Sequence, residues 1–184
     1  QKKIQELISR SQQEDAAAFS LLVSTFQTLV FRLAFRLLCD EDEAKDMVQE
    51  TFVKVWLALG KYNGECRFST WIYKITCNTC YDRLRSLYHS PLDNEADYSV
   101  SVNISSDDNV ELAVVNKQLR ELILRYTDEL SPRQRLIFTL RDIEELDVPE
   151  VQTITGLSAG IIKTTLYLAR KNIRNKMNQI DAGL

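Results

Sequence analysis

An all-α chain of two small helical domains joined by a flexible linker is the architecture this sequence predicts. Three observations carry that expectation. Apolar residues recur at helical spacing through most of the chain, and no strand is convincing anywhere. Only five Gly and three Pro punctuate 184 residues, too few for many short strands and tight turns. From 88 to 108 the periodicity stops: "YHSPLDNEADYSVSVNISSDD" carries Ser, Asn and Asp and no Lys or Arg. The expected boundaries are therefore 1–87, a linker at 88–108, and 109–184.

Residues 2–12 predict a short helix. Residues 15–38 follow, with Phe19, Leu22, Phe26, Leu29/Val30, Leu33 and Leu37 as the stripe. "CDEDEAKDMVQETFVKVWLAL" opens with acids, where the helix dipole favours them, and carries Met47, Val48, Phe52, Val55 and Leu59 on its apolar side. Gly60 and "YNGECR" break it. The next helix, 69–87, places Ile72, Thr76, Thr79, Cys80, Leu84 and Leu87 on one side and Lys74, Asn78, Asp82 and Arg85 on the other. Trp71 falls on the wet side. Past the linker, 109–128 shows a stripe of Leu112, Val115, Leu119 and Leu122. Ser131 caps the next helix, with Pro132 at its first position. Asp147 and Glu150 have capping-box spacing, and Ser158 opens the last long helix.

Composition excludes little: 45% hydrophobic and 27% charged is an ordinary globular balance. No run approaches about 20 apolar residues, so no membrane span is expected. "QKKIQELISR" lacks the apolar core of a secretion signal. The four Cys have no disulfide-framework spacing and read as reduced thiols of a cytoplasmic protein. Cys77 and Cys80 could form a metal or redox pair only if Cys66 and His89 completed the set; small buried thiols on a helix are the plainer reading. No metal or cofactor is expected.

A net charge of −3 argues against nucleic acid, but the distribution argues for it. Residues 91–130 hold 3 bases against 9 acids, whereas 157–178 hold five bases and no acid. Those bases lie on the second of two helices joined by a Gly156-bearing turn, the helix-turn-helix pattern. Its inner stripe is Ile162, Leu166, Ala169, Ile173 and Met177. Lys163, Tyr167, Arg170 and Arg174 flank it, with Thr164 and Lys171 beside them. A major groove accepts such a helix; bases reach phosphates, and Lys163, Thr164 and Tyr167 could reach base edges. A solvated basic helix is the bland alternative. In the first domain, Phe68, Trp71, Tyr73, Lys74, Arg83 and Arg85 mix aromatics with bases, as single-strand binding does. On the wheel alone, Trp71 packing under a neighbouring helix is the simpler reading.

"DEAKDMVQETFVKVW" followed by "GECRFSTWIYKITCNTCYDRLR" resembles region 2 of the sigma-70 family, in its extracytoplasmic-function (ECF) type. "LSPRQRLIFTLRDIEELDVPEVQTITGLSAGIIKTTLYLARKNIR" resembles region 4. The resemblance implies a non-enzymatic subunit of bacterial RNA polymerase that selects and opens promoters. It implies that Asp46, Gln49, Glu50 and Phe52 dock on the β′ clamp helices of the polymerase core. It implies that the stretch Asn63 to Arg85 captures the −10 element as single-stranded DNA, with Phe68, Ser69, Thr70, Trp71, Lys74 and Asn78 near the extruded base and Arg83 and Arg85 further along. Region 4 would sit on the β flap and read duplex −35 DNA through Lys163, Thr164, Tyr167, Arg170, Lys171 and Arg174. The acidic linker would thread through the polymerase, and an anti-sigma factor is a usual partner of the type.

The chain departs from the family at the reading helix. The usual pattern is T-V-K-S-R-L-x-R-A-R; here Ile161 replaces a threonine, and Thr165 and Leu168 replace two arginines. Gln152 stands where Ala is usual. Each missing charge flattens the salt dependence of binding by about one unit. Exposed Leu168 could instead serve a protein partner. The rival reading is an autonomous helix-turn-helix repressor with an N-terminal dimerisation or sensing domain, which would bind duplex DNA alone.

Overall fold

The structure is a computed structural model that describes residues 2–89, 126–127 and 129–182. Nearly all of the expected linker, and most of the helix expected at 109–128, lie outside the described residues. Seven α-helices stand among those described: α1 (Lys2–Ser11), α2 (Ala16–Leu38), α3 (Glu41–Ala58), α4 (Phe68–His89), α5 (Pro132–Phe138), α6 (Val148–Thr155) and α7 (Ala159–Ala182). No strand occurs among the described residues. α4 runs two residues past the expected boundary at 87.

Local chemistry sets the helix ends. Asp15 caps α2 by accepting from the Ala18 N–H, and Asp40 caps α3 by accepting from the Asp42 and Glu43 N–H groups. Both later caps are reciprocal boxes, Ser131 with Gln134 and Asp147 with Glu150. α5 widens into a π turn over Thr139–Ile143, where the Glu144 N–H donates to the Thr139 carbonyl at 2.9 Å. The sequence predicts no such insertion.

α2 is the spine. By length and composition it is apolar enough to cross a membrane, so the expectation that no run approaches that length needs correcting. Its apolar face is occupied within the protein. The half nearer its start gives Leu22, Phe26 and Val30 to a first core with Leu7 and Ile8 of α1, Phe52 and Val55 of α3, and Phe68 and Ile72 of α4. The half nearer its end gives Leu33, Ala34, Leu37 and Leu38 to a second core.

That second core belongs to both domains. Met47 of α3 and Cys77, Cys80 and Leu84 of α4 meet Leu136 and Ile137 of α5, Leu140 of the π turn, Val151 and Ile154 of α6, and Ile162 and Leu166 of α7. Each such aliphatic side chain contributes roughly 1.5–3 kcal/mol when withdrawn from water. Polar contacts border the join. Arg36 of α2 forms an ion pair with Glu144, and Arg135 of α5 donates to the Cys39 sulfur at 3.0 Å. Burial, then the Glu144 carboxylate, pushes the Tyr73 phenol far above its ordinary value.

Candidate nucleic-acid interface

The best-formed surface is the α6–turn–α7 unit. Asp147 accepts from the Glu150 N–H at 2.8 Å, and Glu150 returns the contact to the Asp147 N–H at 2.9 Å. Gly156 ends α6 at φ +71°, a conformation that suits glycine, and its N–H donates to the Gln152 carbonyl at 2.8 Å. Ser158 then accepts from the Ile161 N–H, starting α7. Ile162, Leu166 and Ala169 are buried and fix the rotation of the helix. Lys163, Thr164, Tyr167, Arg170, Lys171 and Arg174 all face solvent, as their positions on the wheel predict. Arg170 is already engaged: its Nε and Nη2 donate to Asp142 at 2.8 and 2.6 Å. Further along, Met177 is 43% exposed, so the predicted inner stripe outruns the core.

The second surface lies where α4 begins. A loop with Gly64 at φ +80° brings the chain into the helix. Gln12 holds the approach by donating to the Leu59 and Tyr62 carbonyls at 3.0 and 2.9 Å, and the Tyr62 hydroxyl donates to the Cys66 carbonyl at 2.7 Å. Asn63 is exposed, and its Oδ1 accepts from the Glu65 N–H. Phe68 turns inward, with its ring edge-on to Phe26 at 5.4 Å and to Tyr62 at 5.2 Å. Trp71 is half-buried. It stacks on Phe68 at 5.6 Å and tilts against Tyr62 at 5.2 Å. The indole packs within its own lobe, as the simpler sequence reading expects, and part of it reaches water. Ser69 and Thr70 are half-buried, while Lys74, Asn78 and Arg85 are exposed. Arg85 lies 6.0 Å from the Tyr81 ring. Arg83 is turned to another task. Its guanidinium forks onto Glu43, with Nε donating at 2.6 Å, and so ties α4 to the start of α3.

The third surface is one face of α3. Asp46, Gln49 and Glu50 are exposed, and Glu50 pairs with Lys54 at 2.7 Å. Phe52 does not share that face. It is 7% exposed and meets Phe19 edge-on at 6.5 Å, supporting the helix from beneath. Two residues that the sequence reading missed do share it: Val53 is 58% exposed and Leu57 75%. Their signal was in the spacing, because Asp46, Glu50, Val53 and Leu57 follow one helical line.

The cysteines lie apart from these surfaces. Burial holds the Cys77 thiol well above its ordinary value and pushes Cys80 up to about 12. Both thiols therefore stay protonated in the shared core, where a metal or redox role would need the thiolate. Cys66 is half-buried in the loop before α4. Among the described residues, no group of three or more His, Cys, Asp or Glu is placed to hold a metal ion.

Comparison with known proteins follows the same division. Sigma-70 region 2 matches residues 22–89 and Sigma-70, region 4 matches residues 120–173. The ECF RNA polymerase sigma-E factor of Escherichia coli K12 is 30% identical over 182 residues, spanning 96% of this chain and 95% of its own. The RNA polymerase sigma-H factor of Pseudomonas aeruginosa is 28% identical over 179 residues, 94% of this chain and 93% of its own. The fold is similar to that of CnrH, solved in complex with the cytosolic domain of CnrY, with a TM-score of 0.66 and 20% identity over 96% of this chain and 98% of that one. It is also similar to the sigma factor RpoE of Bartonella quintana, solved with the anti-sigma factor NepR, with a TM-score of 0.60 and 20% identity over 87% and 96%.

Proposed function

Because the chain belongs to the ECF type of the sigma-70 family, we propose a residue-level division of promoter recognition. The exposed face of α3, with Asp46, Gln49, Glu50, Val53 and Leu57, docks on the β′ clamp helices of core RNA polymerase. Phe52 holds that face in place from the core. The loop at Asn63 and the outer side of α4, with Ser69, Thr70, Trp71, Lys74, Asn78 and Arg85, receives the −10 strand as the duplex opens. Extruding a base costs a few kcal/mol, which stacking on an aromatic surface offsets in part. The Phe68–Trp71–Tyr62 cluster supplies that surface, with only Trp71 among the three left partly open. Arg83 contributes as a brace between α3 and α4. The outer face of α7 enters the major groove of the −35 element, with Lys163, Arg170, Lys171 and Arg174 against phosphates and Thr164 and Tyr167 toward the bases.

One observation carries this reading best. After the apolar residues of α7 have been spent on the core, Lys163, Arg170, Lys171 and Arg174 all face outward on a helix whose start is capped by Ser158. The chemistry of RNA synthesis belongs to the core polymerase, so this subunit is not an enzyme, and it works in the cytoplasm. A further partner is an anti-sigma factor, consistent with complexes in which fold neighbours were solved. Reconstitution with core polymerase tests the proposal: specific run-off transcripts and weak DNA binding by the free chain are expected. Tight binding to duplex promoters by the chain alone, with no complex with core, would overturn it in favour of a repressor.

A further inference from the structure

We infer that α7 reads the −35 duplex partly through the 5-methyl groups of thymines, using an aliphatic edge made by Ile161 and Leu168. The inference rests on the reading of α7 as the duplex-binding helix. Around α7 the outward surface divides lengthwise. One flank carries Lys163, Arg170 and Arg174. The other carries Ile161, 44% exposed, and Leu168, 43% exposed, with the half-buried Thr165 on the same side. On α7 these are the three positions named above as departures from the usual family pattern. No charge remains there to donate to the O6 and N7 acceptors of guanine, the commonest specific contact. Aliphatic carbon instead complements the thymine methyl.

Charge and size select DNA as the occupant. The aliphatic edge shares the outward surface of α7 with four exposed bases, Lys171 lying between it and the basic flank, which suits a polyanion. Two isolated aliphatic side chains among threonines and asparagines are far short of the apolar patch that marks a protein interface. Spacing supplies a further constraint. Seven residues of helix advance roughly 10.5 Å, or about three base steps at 3.4 Å each. Ile161 and Leu168 would thus meet thymines about three steps apart.

The test uses the reconstituted holoenzyme. A promoter library randomised over the −35 element is transcribed, and each thymine selected there is then replaced by deoxyuridine, which removes only the methyl. Loss at two positions about three steps apart is expected, at about fourfold each for one methyl returned to water. Leu168→Ala should abolish the thymine–uracil difference at one position and Ile161→Ala at the other. Both side chains are exposed, so neither truncation opens a core cavity. Equal use of thymine and uracil by the wild type, while transcription still depends on the element, overturns this inference alone. Transcription indifferent to the element overturns the reading of α7 and the inference with it. If Leu168→Ala weakens transcription equally on thymine and uracil templates, the edge serves a protein and the inference fails.

Discussion

Glu144→Gln removes one charge from the ion pair that joins the two lobes. The Arg36 side chain is 26% exposed and that of Glu144 17%, so the pair is largely withdrawn from water. A hydrogen bond to a charged group contributes about 1.5–3 kcal/mol when well shielded, and partial exposure reduces that to about 1–2 kcal/mol. A chain of this size loses about 2–4 °C of melting temperature per kcal/mol, so Tm should fall by roughly 2–8 °C. Core binding should move the other way. The −10 and −35 elements are about 25 base pairs apart, roughly 85 Å along the duplex, whereas a compact chain of this length is only about 40 Å across. Engaging both elements at once requires the lobes to separate. Apparent affinity for the open-state partner scales with the fraction already open, so weakening the join by 1–2 kcal/mol should tighten binding to core polymerase by about 5- to 30-fold. Calorimetry and a fluorescence titration with core would measure the two effects. Glu41→Gln, in a solvent-exposed pair with Lys45 in the first turn of α3, is the control: it should lower Tm slightly through the helix dipole and leave core binding unchanged. A Glu144→Gln protein that melts earlier yet binds core no better would refute the claim that separation opposes binding.

Trp71→Ala should leave core binding intact and impair promoter opening in permanganate footprinting, with a loss of about 1–3 kcal/mol of stability from its two ring contacts; normal opening would remove Trp71 from the melting surface. Lys163→Ala should weaken promoters that depend on −35 and lower the salt slope of binding by about one unit, and an equal effect on a promoter lacking that element would contradict the placement. The thiols predict an alkaline limit. Cys80 titrates at about 12 when folded and near 9.0 when unfolded, so its contribution is complete below pH 9 and declines as pH rises toward 12. The decline is about 1.4 kcal/mol per pH unit. Urea denaturation at pH 8 and pH 10 should show it, and Cys80→Ala should reduce it without abolishing it, because the buried Cys77 thiol is raised as well; an unchanged slope would mean Cys80 is not shielded as described.

Much of this was legible in the residues because helices announce themselves locally. The stripe of α2 and the caps at Ser131, Asp147 and Ser158 depend on neighbours within a few positions, and each is where the spacing puts it. Tertiary choices were not legible. A wheel shows that Cys77 and Leu84 face inward, but not that their cover comes from Leu136, Ile137 and Leu140 of the other lobe. Charge alone could not distinguish Arg83, spent on Glu43, from Arg85, which faces water. Family likeness placed Phe52 and Phe68 near binding surfaces, and the structure gives both rings to the first core. The π turn has no periodic signature, since it adds one residue to an otherwise regular ladder.

The fork between Arg170 and Asp142 has a consequence for the free protein. The Asp142 carboxylate already occupies the Arg170 guanidinium, so on the proposed reading of α7 a phosphate would reach that group only by displacing it. That competition penalises every sequence alike, and it matters most against the vast excess of irrelevant genomic sites. On that reading the carboxylate, held on the π turn beside α7, would weaken the free subunit's hold on bulk DNA by the modest worth of one half-exposed pair.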